Sequence, residues 1–159
     1  MHNGSNSAVR SRQGGARVRL PPALWFLAAI VAGAFLPGLR LGIVASGPPG
    51  GVLVLLAAAL LLWSARWFKR TGQDMKPWTP SPELIRRGPY RFSRNPMYVG
   101  MTLLTIGIGG LLARGWIALL APLALLAVHR TAVLREEAYL AEQFGEPYLE
   151  YMKRVRRYL

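Results

Sequence analysis

The 159-residue sequence contains no cysteine, which excludes disulfide scaffolds, thiol nucleophiles, cysteine-bound zinc and iron–sulfur clusters. It has only two histidines, His2 in a polar N-terminal stretch and His129 far along the chain. That scarcity argues against a histidine-rich metal site or a Ser-His-Asp triad. Acidic residues are few as well: 7 Asp+Glu stand against 20 Lys+Arg, for a net charge of +13. Long stretches lack charge altogether, notably Leu20 to Leu39, Leu41 to Ala65, and Pro96 to Ala113. With 52% hydrophobic residues gathered into such blocks, the chain reads as an all-α membrane protein with a single folded domain.

Four apolar spans are expected. The first runs from Leu20 to Leu36, and the second from Val52 to Ala65 after a turn at Pro48-Pro49-Gly50-Gly51. The third covers Pro96 to Ala113. The fourth covers Trp116 to Val128 and continues to Leu134 if Arg130 snorkels toward the headgroups. Met1 to Arg19 has no apolar period and is expected to be a disordered basic tail, leaving residues 20–159 as the transmembrane domain. A basic flank before an apolar run also fits a signal peptide, with Ala32-Gly33-Ala34 as cleavage site, but the run is longer than such segments usually are. Between the second and third spans, Pro77, Pro80, Pro82 and Pro89 keep Arg66 to Asn95 from forming a long helix. Beyond Leu134, apolar residues recur at three- and four-residue steps among charges, predicting amphipathic helices interrupted at Gly145-Glu146-Pro147. Gly107, Gly109 and Gly110 lie in the third span and are read as sites of close helix packing.

In a four-span arrangement all basic residues except Arg40 and Arg114 fall on the side that carries both termini, and all seven acids join them. This is the positive-inside pattern, which makes that side cytoplasmic and the protein an integral membrane protein with cytoplasmic termini. Basic segments beside a membrane attract anionic lipids. The aromatic residues accompany the spans and the amphipathic tail, which argues against a nucleic-acid partner.

Two polar clusters at the membrane boundary carry the chemistry. Arg86 to Gly100 packs cations, aromatic rings and two prolines against the mouth of the third span. Pro96 sits where a helix begins and Asn95 precedes it as a good N-cap residue, so first-turn N–H groups are available to a polar ligand. The second cluster is Arg135-Glu136-Glu137. Adjacent helical residues diverge by about 100°, so one carboxylate can face the bundle while the other meets solvent. Carboxylates suit ribose hydroxyls, which makes a nucleoside-bearing ligand a natural expectation.

At these clusters the sequence resembles the isoprenylcysteine carboxyl methyltransferase family and the related phospholipid N-methyltransferases. A family run Gly-Pro-Tyr-x-x-x-Arg-His-Pro-x-Tyr-x-Gly is matched by Gly88-Pro89-Tyr90, Arg94-Asn95-Pro96, Tyr98 and Gly100. A downstream run is matched by Glu136-Glu137, Leu140, Phe144-Gly145, Tyr148 and Tyr151. Asn95 stands where the family most often has histidine, keeping a hydrogen-bonding side chain but no titratable ring. The sequence Val155-Arg156-Arg157 stands where the family often reads Val-Pro-Arg.

The resemblance implies S-adenosylmethionine as methyl donor and a lipophilic small acceptor, whether carboxyl, amine or hydroxyl, reached from the lipid. It implies donor binding by Tyr90, Arg94, Asn95, Pro96, Met97, Tyr98, Gly100, Glu136, Glu137 and Tyr148. Arg94 would pair with the methionyl carboxylate, Tyr98 or Tyr148 would face the sulfonium, and Arg135, Glu137 and Arg157 would serve catalysis, the arginines by orienting the acceptor. No metal is implied. Two other readings remain in view: a non-catalytic module that binds lipid or a protein partner, and a membrane reductase with a similar C-terminal pattern, which the shortness of the chain disfavours.

Overall fold

Prolines mark the starts of most helices, because the first turn has no intrahelical use for the N–H that proline lacks. The computed structural model describes residues 16, 18, 20–37, 48–72, 81 and 83–159. Most of the expected N-terminal tail, and Pro77, Pro80 and Pro82 of the long loop, lie outside the described residues. Helix α1 is Ala23–Phe35, α2 Pro48–Arg70, α3 Pro96–Leu111 and α4 Gly115–Val128. A π-helical turn, His129–Val133, joins α4 without a break to α5, Leu134–Phe144, and α6 is Glu146–Arg154. A 3-10 turn covers Gly88–Arg91. Among the described residues the extended pairing consists of one parallel bridge between Ser93 and Arg156.

The all-helical expectation holds, and of the four expected spans two have the length and composition to cross a membrane while the other two are shorter apolar helices. Among the described residues these two are α2, with 23 residues, and the continuous Gly115–Phe144, with 30. Helices α1 and α3 have 13 and 16 residues. At about 1.5 Å per residue they reach about 20 and 24 Å, short of a hydrocarbon core of about 30 Å. Their ends are fixed locally. Leu36 turns extended ahead of Pro37, and Ala113 takes a left-handed conformation, φ +52°, that closes α3 through an Arg114 N–H to Gly109 carbonyl bond of 2.8 Å. Conversely, the expected Pro-Pro-Gly-Gly turn is the first turn of α2. Position 50 within it has no room for a side chain, because a Cβ there would fall 2.6 Å from the Leu111 backbone nitrogen.

The four longer helices run up and down. α2 packs on α3, α3 on α4 and α4 on α1. At one end, which we call the hairpin end, Gly33 abuts the Ile117 backbone, Gly109 abuts Ala118 and Gly107 abuts Val54. Close packing by the glycines of α3 is thus observed where the sequence suggested it. The apolar core continues through Phe26, Ala29, Ala124, Val128, Ala132 and Val133, and takes in Ala16 and Val18 from the segment expected to be a tail. Leu24, Leu27 and Val31 of α1, Val52, Leu55 and Leu56 of α2, and Leu119, Leu123 and Leu126 of α4 point outward, as a lipid-facing surface does.

Candidate functional site

The opposite end of the bundle gathers the end of α2, the 3-10 turn, the start of α3, the α4–α5 junction and α6. Its local geometry begins with Gly88, whose φ of +60° and contact with the Trp67 indole leave no space for a side chain. The turn that follows buries Tyr90, whose ring meets Phe68 edge-on at 5.8 Å and whose carbonyl accepts a 2.6 Å hydrogen bond from the Tyr151 hydroxyl. At Gly145, φ +59° and ψ −134° form a break that only glycine adopts readily, and it folds α6 back so that Tyr148 and Tyr151 are buried.

Residues Ser93 to Asn95 are stitched to the chain's last described segment. The Arg94 N–H donates to the Arg156 carbonyl at 2.9 Å, and both the Ser93 hydroxyl and the Asn95 amide donate to the Arg157 carbonyl, at 3.3 and 3.1 Å. Asn95 therefore does not cap α3 with its side chain, contrary to expectation, because that amide is committed to Arg157.

This stitching aims two arginines at one carboxylate. Arg157 donates from Nε to Glu137 Oε1 at 2.9 Å and from Nη2 to Oε2 at 2.8 Å, a two-pronged pair. Arg94 Nη1 lies 3.1 Å from Oε1 as an ion pair without hydrogen-bond alignment. The Arg94 and Glu137 side chains are 9% and 10% exposed, so the centre of this triad is screened little by water. Its neighbour Glu136 accepts a 2.7 Å hydrogen bond from the Tyr98 hydroxyl. The two adjacent carboxylates thus do different things: one is neutralised by two cations, the other is held by a phenol.

Tyrosines surround the pair. Burial pushes the Tyr148 hydroxyl up to about 12, with the Glu137 charge adding to the shift and Arg94 opposing it. Burial also raises Tyr90 and Tyr151, while the hydrogen bond to Glu137 raises Arg157 further. All three phenols stay neutral at ordinary pH. Three donors in this region, the Tyr90 hydroxyl and both Nε and Nη1 of Arg94, are buried with no hydrogen-bond partner.

The structure thus brings together Tyr90, Arg94, Tyr98, Glu136, Glu137, Tyr148 and Arg157. Pro96 and Met97 sit in the first turn of α3 beside Tyr98. Gly100 lies instead against the Leu61 side chain at the α2–α3 crossing. Arg135 is exposed, about 200° around the helix from Glu137. Sequence reasoning assigned no role to Ser93, Tyr151 or the His129–Tyr158 pair, in which Nδ1 and the hydroxyl are 3.0 Å apart. Tyr151 alone had a signal, its place in the downstream motif. Among the described residues no group of three His, Asp or Glu side chains could hold a metal.

Residues 48–147, more than half of the chain, match the family model for phospholipid methyltransferases. Over 72 residues the chain is 36% identical to the protein-S-isoprenylcysteine O-methyltransferase of Schizosaccharomyces pombe, a stretch covering 45% of this chain and 30% of that protein. No solved structure matches it. The matched family region runs from the first turn of α2 to the start of α6 and so includes the 3-10 turn, Arg94, Tyr98 and both carboxylates. The chain belongs to the phospholipid methyltransferase family.

Proposed function

We propose that this membrane methyltransferase takes its methyl group from S-adenosylmethionine and delivers it to a lipophilic small acceptor at the cytoplasmic face. The observation that carries the reading is the meeting of Arg94 and Tyr98 with Glu137 and Glu136, 38 or more residues away in sequence, around buried donors that lack partners. Buried polar groups are normally hydrogen-bonded, so the Tyr90 hydroxyl and Arg94 Nε call for an acceptor-bearing ligand. The donor fits: its carboxylate suits Arg94 Nε, and its positive charge suits Glu136 and the faces of Tyr98 and Tyr148. When bound, it supplies an electrophilic methyl group on a sulfonium.

The chain's own residues position and desolvate. The bundle closes one side of the site with hydrocarbon, and α6 closes another with Tyr148 and Tyr151, which limits water near the reacting centre. Glu137 has its charge met by two arginines and acts as a positioning residue for Arg94 and Arg157. Glu136 is partnered by the Tyr98 hydroxyl rather than by an arginine. A carboxylate acceptor is already ionised and needs no base; an amine or hydroxyl acceptor must lose a proton, and Glu136 is the group placed to take it.

Isothermal titration of the detergent-solubilised protein with S-adenosylmethionine tests the reading. The wild type binds, and Glu136→Gln weakens binding by about tenfold or more while leaving the melting temperature nearly unchanged, as expected for loss of one charge interaction at conserved shape. Absence of binding by the wild type, or labelled methyl transfer unaltered by both Glu136→Gln and Arg94→Gln, refutes it.

A further inference from the structure

The Ser93–Arg156 bridge has two sides. On one, Arg94 and Arg157 reach Glu137. On the other, Leu60, Trp63, Phe92, Val99 and Leu159 line an apolar groove of about 80 Å³, with Ser93 in its floor. Three of its walls are large apolar side chains left open: Trp63 is 43%, Phe92 62% and Leu159 78% exposed. The groove starts on the last apolar turns of α2 and ends beside Arg91, whose guanidinium lies 5.3 Å above the Phe92 ring. Arg86, Arg87 and Arg156 are exposed on the neighbouring segments.

Neither solvent suits this place alone. Water would leave a contiguous apolar surface uncovered, and hydrocarbon would leave Arg91 without a counter-charge. An amphiphile with a fatty chain and an anionic head satisfies both, and arginine pairs readily with phosphate. We propose that the groove is a binding site for a resident anionic phospholipid, with one acyl chain along Trp63, Phe92 and Leu159 and the phosphate on Arg91 and Arg156. The lipid covers the outer side of the Ser93–Arg156 bridge and so helps to hold Arg157 against Glu137. The proposal does not depend on which methyl donor or acceptor the protein uses.

The test is lipid retention by the full chain in detergent, read by native mass spectrometry in equal amounts of phosphatidylglycerol and phosphatidylcholine with matched chains. The wild type is expected to retain phosphatidylglycerol about fivefold or more over phosphatidylcholine. The double variant Arg91→Glu, Arg156→Glu brings that ratio to about one, Leu159→Asp lowers retention of both lipids, and Arg114→Glu at the hairpin end changes neither. Equal retention of the two lipids by the wild type, or a preference that survives the double variant, overturns the proposal. Displacement of the lipid by inorganic phosphate alone would show a headgroup site without the groove, and appearance of labelled methyl on the lipid would show a substrate; either result overturns it as well.

Discussion

The two ends of the bundle are held by opposite means. At the hairpin end, glycines let backbones touch: Gly33 on Ile117, Gly50 on Leu111, Gly109 on Ala118. At the site end, arginine, glutamate and tyrosine side chains meet across the same helices. The first arrangement depends on the shape of glycine and backbone contacts, none of which titrates. The second depends on charge and on the protonation of buried phenols. The lesson is that the apolar half serves as a rigid frame, so that the polar half can keep buried groups without partners of their own.

The sharpest way to break this contrast is Glu137→Ala. It leaves Arg94 buried without its counter-charge and is expected to cost about 3–5 kcal/mol, with methyl transfer lost, as thermal unfolding and a labelled-methyl assay will report. Next in size, Gly33→Leu at the other end forces a side chain into the Ile117 backbone. A loss of about 1–3 kcal/mol is expected, with ligand affinity in the surviving folded fraction unchanged, because no polar group moves.

pH separates the halves further. Tyr90, Tyr148 and Tyr151 have folded values raised above the unfolded value of about 10, so their contribution is complete below about pH 10. As pH rises from there toward 12, the unfolded chain sheds phenolic protons that the folded protein keeps, and stability falls. Melting temperature plotted against pH should show this decline, and Tyr148→Phe should make it shallower. A decline that begins below pH 9 would assign it to other groups. The smallest effect belongs to the hairpin turn: Ala113→Gly relieves a left-handed alanine and should raise stability by about 0.5–1 kcal/mol without touching activity.

Much of the frame was legible in the sequence because apolar blocks, Arg114-Gly115 and Gly145-Glu146-Pro147 are local signals. The start of α2 was not, since Pro48-Pro49-Gly50-Gly51 reads as a turn until Leu111 is seen to demand a glycine. Helix ends were hard to read for a related reason: charge-free sequence at Leu20 to Pro22 and Leu112 to Ala113 continues past the residues that are helical. At the site, the residue types of Arg94, Tyr98, Glu136 and Glu137 pointed to a polar ligand. Which carboxylate takes the arginines depends on the path of Arg156 and Arg157, and no spacing within α5 encodes that. Asn95 shows the same limit, because its side chain answers to a carbonyl 62 residues away rather than to the helix it precedes.

The π-helical turn at His129–Val133 acts as a gear between two surroundings. It accommodates one residue more than an α-helical turn would, which advances everything beyond it by about 100° around the axis. Upstream, the helix is phased to show leucines to lipid; downstream, it is phased to show Glu136 and Glu137 to Tyr98 and Arg94. Drawing His129–Val133 into a regular α-helix without deleting a residue would swing both carboxylates by about 100° off their partners, silencing the site though every group in it kept its identity.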